Sequence, residues 1–280
     1  MKIFLTGGTG FIGSHFINHA INMDHEVTAL RRTDSKSRLI LKSQPTWIEG
    51  SMDGSYDGIF KDIEVFVHLA AHSVNYPYDS LENCMYWNLN APLRLAKQAV
   101  EQGVKRFIIA GSCFEYGKSA ERFSELTVNS PLEPDNNYSI SKAASSVAFL
   151  GLAHQLGLEL SLLRIFQVYG EGEHECRLWP SLKKAAHEGS DFFMTQGEQV
   201  RDFISIENAI KLIYKEINQR GINIQYPTIK HIATGIPQRT IDFASQWWNE
   251  WGALGTINAG ALHYRDKEMM RIVSSRESIL

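Results

Sequence analysis

Tyr138-Ser139-Ile140-Ser141-Lys142 sets a phenol and an ammonium four residues apart, one turn of a helix, on a shared face. A cation several ångströms from a phenol favours the phenolate, so the pair is expected to lower the tyrosine pKa from about 10 toward neutrality. Tyr138 would then exchange protons near pH 7. Ser112, directly after the apolar run 107–111, is expected to hydrogen-bond the same substrate oxygen. A second constellation opens the chain: Gly7, Gly10 and Gly13 in Thr6-Gly7-Gly8-Thr9-Gly10-Phe11-Ile12-Gly13 lie three apart, after a strand and before a helix. Absent Cβ atoms there allow a tight turn and close approach to a pyrophosphate, with the helix N-terminus as anion site. Together the two pieces predict an enzyme that moves hydride. Tyr226 and Lys230 repeat the Tyr-xxx-Lys spacing, but Pro227 and the strand-like run beyond it argue against a shared helical turn, and that pair reads as structural.

The strand-like run Glu26-Val27-Thr28-Ala29-Leu30 ends in Arg31 and Arg32, about 20 residues past the glycines, where an NAD site usually carries an acidic residue for the ribose hydroxyls. Two arginines favour a 2′-phosphate instead, and NADPH is the expected cofactor. The alternative reading makes both of them solvated loop charges.

These groups need a scaffold. Apolar runs at 3–5, 25–30, 65–71, 107–111 and 158–165 alternate with helical patterns, which predicts a parallel sheet covered by helices on both faces. Between the last two runs, Ile140, Ala143, Ala144, Val147, Ala148 and Leu152 recur at helical spacing, preceded by Asn136 or Asn137 and closed by Gly157. Phe149 and Leu150 then form a second apolar face, from which a homodimer is expected; the alternative is a helix buried within its own domain. After Gly170 the alternation breaks down. The expected division is 1–170 with 200–236 returning to it, and a smaller lobe from 171–199 and 237–280, with 229–233 as a further strand of the main sheet.

With 280 residues, 44% hydrophobic and 21% charged, the chain can bury a substantial core. A formal charge of -3 with dispersed lysines and arginines gives no footprint for nucleic acid. Cys84, Cys113 and Cys176 show no metal-ligand spacing and cannot all pair, so neither a metal nor a disulfide is expected. Met1 leads straight into the first strand-like run and no apolar run has membrane-spanning length, so no leader is expected and the expected location is the cytoplasm.

Further segments extend the pattern: His68-Leu69-Ala70-Ala71, Asn88-Leu89-Asn90-Ala91, Gly111-Ser112-Cys113-Phe114-Glu115-Tyr116-Gly117, Arg164-Ile165-Phe166-Gln167-Val168-Tyr169-Gly170 and Arg201-Asp202-Phe203-Ile204. With the glycine turn and Tyr138/Lys142, these resemble the extended short-chain dehydrogenase/reductase family in its nucleotide-sugar branch, over nearly the whole chain. The resemblance implies an α/β Rossmann-type doubly wound parallel sheet with a smaller C-terminal substrate-binding lobe. It implies Tyr138 as general acid/base, Lys142 as its modulator and a nicotinamide-ribose contact, and Ser112 as oxygen-binding partner. Gly7, Gly10, Phe11, Ile12, Gly13, Arg31, Arg32, Leu69, Ala70, Ala71 and Asn88 would lie at the cofactor. His72, Gln167, Arg201 and Arg265 would contact a nucleotide-diphosphate sugar, the two arginines flanking its pyrophosphate.

The departures shape the expected reaction. The acid pair that sugar 4,6-dehydratases carry after the Ser position is replaced by Cys113 and Phe114, and the Cys and His of double epimerases correspond to Phe114 and Arg177. The nearest resemblance is to reductases of nucleotide-linked 4-keto-6-deoxyhexoses, with NADPH delivering hydride to C4 while Tyr138 protonates the oxygen. The alternative is an NAD-dependent nucleotide-sugar 4-epimerase, which uses the same residues; a noncatalytic nucleotide-binding regulator is a third. Relatives commonly add a helix beyond the position of Leu280, which leaves the edge of the substrate lobe open.

Overall fold

The computed structural model describes residues 1–219, 227–266 and 268–280. In chain order it runs β1 (Lys2–Thr6), α1 (Phe11–Asn22), β2 (Glu26–Arg31), β3 (Thr46–Glu49), β4 (Val65–His68), α2 (Leu81–Met85), α3 (Ala91–Glu101), β5 (Arg106–Ser112), α4 (Ser119–Arg122), α5 (Asn137–Leu156) and β6 (Glu159–Ile165). There follow β7 (Gln167–Tyr169), α6 (Leu178–Glu188), β8 (Phe192–Met194), β9 (Val200–Ser205), α7 (Ile206–Asn218), β10 (Thr228–Ile232), β11 (Pro237–Arg239), α8 (Thr240–Glu250), β12 (Ile257–Ala259) and β13 (Arg271–Ile272).

Seven parallel strands form the main sheet in the order β10-β6-β5-β4-β1-β2-β3, a Rossmann-type α/β fold. Its strands read as nearly continuous apolar runs because both faces are covered. Phe16, Ile17 and Ala20 of α1 and Ile210, Ile213 and Ile217 of α7 bury one face, while Leu95, Ala96 and Ala99 of α3 and Phe149, Leu152 and Ala153 of α5 bury the other. Strand order reverses direction at β1. The crevice beside the C-terminal ends of β1 and β4 is therefore where such a sheet takes a ligand.

Beyond β6 the chain builds smaller units. β9 pairs in parallel with β7 and β13 and antiparallel with β11, β8 pairs with β12, and α6 packs on α8 around Leu182, Met194, Ala244 and Trp248. β10 joins the main sheet against β6, as the run 229–233 led us to expect. The extra edge strand β3 escaped sequence reading because four residues carry too little periodicity. Tyr226 lies outside the described residues; its partner Lys230 sits on β10 and pairs with Glu216 at 2.9 Å.

Asn136 caps α5 by accepting from the Ser139 N–H at 3.0 Å, and Gly157 ends it at φ 62°. The expected faces of this helix need correction. Phe149 is fully buried in the chain's own core, whereas Val147 is 61% exposed. The inner face runs through Tyr138, Lys142, Ser145, Phe149 and Leu152, and its polar members hid it from a count of apolar spacing. A dimer through this helix would therefore have to use the side that carries Val147, not Phe149.

Candidate active site

The glycine turn is dictated by crowding. Gly7 has φ 79°, and a Cβ there would lie 2.5 Å from the Ala70 nitrogen; one on Gly13 would lie 2.0 Å from the Gly7 oxygen. Only hydrogen fits at either place. The turn is thus packed against Leu69 and Ala70, which follow β4, and α1 starts at Phe11 with no side chain capping its first amides. Uncapped N–H groups at a helix start, reached by a glycine turn, suit a pyrophosphate.

Asn88 lies on a π-helical turn, Tyr86–Asn90, between α2 and α3. Its Oδ1 accepts from the His72 N–H at 2.7 Å, and its Nδ2 donates to the His72 carbonyl at 3.1 Å and to Ser141 Oγ at 2.9 Å. It ties the loop after β4 to α5. His68 at the end of β4 is fully buried, with Nδ1 2.6 Å from Thr6 Oγ1; burial, and next the Lys142 charge, lower its pKa to about 3.

β5 delivers Ser112 to the sheet edge, and the Ser112 N–H donates to Glu115 Oε1 at 2.7 Å. Glu115 Oε2 accepts from Arg164 Nε at 3.0 Å and Ser146 Oγ at 2.8 Å, all within the core. Arg164 continues to the Tyr116 hydroxyl at 2.7 Å, and this oxygen lies 2.6 Å from His231 Nε2. The seat of Ser112 is thereby wired to β6 and β10. Glu115 and Arg164 were quoted in the sequence motifs without a role, because only folding shows that they meet.

Tyr138 is 8% exposed. Burial raises its pKa, opposed by the nearby Ser112 side chain. The expected lowering by Lys142 is not what the fold produces. Lys142 is also buried, its Nζ donates to the Ala110 carbonyl at 2.6 Å, and its own pKa is lowered by burial against the pull of Glu115. Desolvation of the phenol outweighs its neighbours.

The candidate substrate residues meet different fates. His72 pairs with Asp79 at 2.7 Å and shapes its own loop. Gln167 opens β7, half-buried. Arg201 is 7% exposed, bridges Glu268 at 2.9 Å and lies within electrostatic reach of Cys113, next to Ser112. Arg265 rests 5.0 Å from the ring centre of Tyr76 and lowers the pKa of Tyr78, which burial raises more strongly. Sequence reading missed Tyr78, whose ring stacks on Tyr138 with centroids 5.9 Å apart and planes at 16°. It also missed Glu173, whose pKa burial raises to about 7 against the charge of Arg177. No spacing rule marks either one. Lys267, in the segment with Arg265, lies outside the described residues.

At the far side of the glycine turn Arg31 forms an ion pair with Glu49 at 2.8 Å and lies 5.0 Å from the Trp47 ring centre, while Arg32 is exposed. Glu49 belongs to β3, the strand the sequence did not reveal.

Residues 3–224 match the NAD dependent epimerase/dehydratase family. The chain belongs to that family. It is 27% identical over 243 residues to a UDP-glucose 4-epimerase from Corynebacterium glutamicum, covering 79% of this chain and 73% of that one. It is also 27% identical over 259 residues to a UDP-N-acetyl-alpha-D-glucosaminuronate decarboxylase from Bacillus cytotoxicus, covering 85% and 80%. Among solved structures, the UDP-N-acetylglucosamine 4-epimerase from Methanobrevibacter ruminantium M1 superposes with a TM-score of 0.87 at 22% identity over 98% of this chain and 89% of that one, a likeness of fold. No described helix is long and apolar enough to cross a membrane.

Proposed function

We propose that this chain is an NAD-dependent 4-epimerase of a UDP-linked sugar. The observation that carries the reading is the match of residues 3–224 to the family, with UDP-glucose 4-epimerases among the relatives, while Ser112 and Tyr138 at the edge of the sheet supply groups that either reaction could use. The 4-keto reductase expected from the arginines loses support at Arg31, whose charge is matched by Glu49 at 2.8 Å, while Arg32 stays exposed.

In this reading Gly7, Gly10, Phe11, Ile12, Gly13 and the segment 69–71 cradle the dinucleotide, with Asn88 holding the adjoining loop. When bound, oxidised NAD supplies the hydride acceptor and a positive charge beside the phenol. Ser112 fixes the C4 hydroxyl, and Tyr138 takes its proton as the C4 hydrogen leaves. Returning the hydrogen to the opposite face, with the proton given back by Tyr138, inverts the centre without net redox change. Lys142, held by the Ala110 carbonyl, stands one helical turn from the phenol and would contact the nicotinamide ribose. Arg201 and Arg265 would flank the pyrophosphate once it displaces Glu268 and the Tyr76 ring.

Incubation with NAD and UDP-glucose, UDP-galactose or UDP-N-acetylglucosamine, followed by NMR, tests the reading. The expected result is a mixture of C4 epimers with no net formation of reduced cofactor. Stoichiometric NADPH oxidation with a nucleotide-linked 4-keto-6-deoxyhexose, and no epimers from UDP-sugars, would restore the reductase.

A further inference from the structure

We infer that Tyr78 is a positioning residue for Tyr138, holding the reactive ring in place and closing it off from water on the side of the cleft. The inference rests on the reading of Tyr138 given above. The two rings are stacked in the offset range that aromatic pairs favour, with centroids 5.9 Å apart and planes at 16°. Among the described residues no other ring stacks on Tyr138.

The loop that carries Tyr78 is fixed to the same helix end as its partner. Asn137, the neighbour of Tyr138, donates from Nδ2 to the Asp79 carbonyl at 2.9 Å. The Asp79 carboxylate is held by His72 at 2.7 Å and by Asn83 at 3.1 Å, and the Asp79 N–H donates to Ser73 Oγ at 2.7 Å. From the outside Tyr76 meets Tyr78 edge-on at 5.9 Å, and Arg265 of the C-terminal segment lies over Tyr76. Three segments remote in sequence thus press one ring onto another.

A phenol that passes a proton must keep its oxygen within hydrogen-bond reach of the substrate, and a ring free to swing loses that geometry. Stacking restrains the swing. The same contact excludes solvent, and desolvation is the main influence on the Tyr138 phenol. The charged and titratable groups around the two rings are Cys113 and Glu115 after β5, Lys142 on α5, Arg177 ahead of α6, and Asp135, Arg265 and Glu268 around Tyr78. Replacing Tyr78 removes none of these. A changed Tyr138 titration in such a variant therefore reports water entering where the ring stood.

The test uses Tyr78→Phe, Tyr78→Leu and Tyr78→Ala in the full chain, each paired with a Tyr138→Phe derivative. Two quantities are read: kcat and KM for UDP-glucose with NAD, and phenolate absorbance against pH, with each Tyr138→Phe derivative subtracted to isolate Tyr138. Tyr78→Ala and Tyr78→Leu should lower kcat about ten- to a hundredfold with KM within about twofold. In both, Tyr138 should ionise at lower pH than in the wild-type chain. Tyr78→Phe should retain kcat within about twofold and the original ionisation. Unchanged ionisation in Tyr78→Ala and Tyr78→Leu, or a raised KM with unchanged kcat, would overturn the inference. If the wild-type chain leaves UDP-glucose untouched, the epimerase reading fails by itself and the phenol titration still decides the role of Tyr78.

Discussion

Lys142 gives its hydrogen bond to the Ala110 carbonyl at 2.6 Å, and the phenol it was expected to activate is held protonated by burial. Burial therefore opposes ionisation of Tyr138. Tyr138→Phe should lower turnover by about 10²- to 10⁴-fold while NAD affinity, measured by fluorescence titration, stays within a few-fold. Near-normal turnover would remove Tyr138 from the chemistry.

In the proposed reading the Glu49–Arg31 ion pair would set cofactor preference. Glu49→Ala should release Arg31 and raise the NADP/NAD ratio of kcat/KM, whereas Arg31→Ala should leave NAD use nearly unchanged. A ratio unmoved by Glu49→Ala would separate this pair from cofactor choice.

Gly7→Ala and Gly13→Ala should act on folding as well as on binding. Each new methyl meets backbone rather than a pliable side chain, at 2.5 and 2.0 Å respectively. Expected are a stability loss of at least about 1–3 kcal/mol in denaturant unfolding and loss of dinucleotide binding. Wild-type stability in Gly13→Ala would mean that the turn can open without penalty.

Breaking the buried Glu115–Arg164 pair should destabilise the chain strongly. Glu115→Ala leaves Arg164 charged in the core at a cost of about 3–5 kcal/mol, and it frees the Ser112 N–H. Glu115→Gln should recover part of the stability, because its side-chain oxygen can still accept from Ser112. Urea midpoints of the two variants compare these directly.

Two buried histidines contribute to the acid limb of stability. Burial holds both His68 and His231 neutral, with pKa values lowered to about 3. Between the ordinary value of 6.5 and about 3 the unfolded chain binds these protons and the folded chain does not, so stability is complete above pH 6.5 and falls as pH drops through that window. Each group contributes at most about 1.4 kcal/mol per pH unit. His231→Gln should flatten the decline in urea midpoint between pH 6.5 and 4, and an unaltered slope would assign the acid sensitivity elsewhere.

The main sheet was legible because its central strands are buried on both faces and hence nearly continuously apolar, and the glycine turn because its three residues answer to backbone crowding within one short segment. Motifs of that kind carry their physics locally. The inner face of α5 was misread for the opposite reason: Ser139, Ser141, Ser145 and Ser146 are buried there with Lys142, so polarity no longer reports exposure. Asn88 was legible by resemblance, but its task of clasping His72 and Ser141 depends on a π-helical turn that no spacing announces.

By itself the sequence determined the parallel α/β scaffold and the glycine turn after β1, and it named Ser112, Tyr138 and Lys142 as candidates, since each follows from residue type within a few positions of chain. Tertiary structure alone decided what surrounds them: Glu49 on Arg31, Ala110 on Lys142, Glu268 on Arg201 and Tyr78 on Tyr138. The sign of a pKa shift and the availability of a charge depend on desolvation and on partners from distant segments. Those are fixed only when the chain has closed on itself.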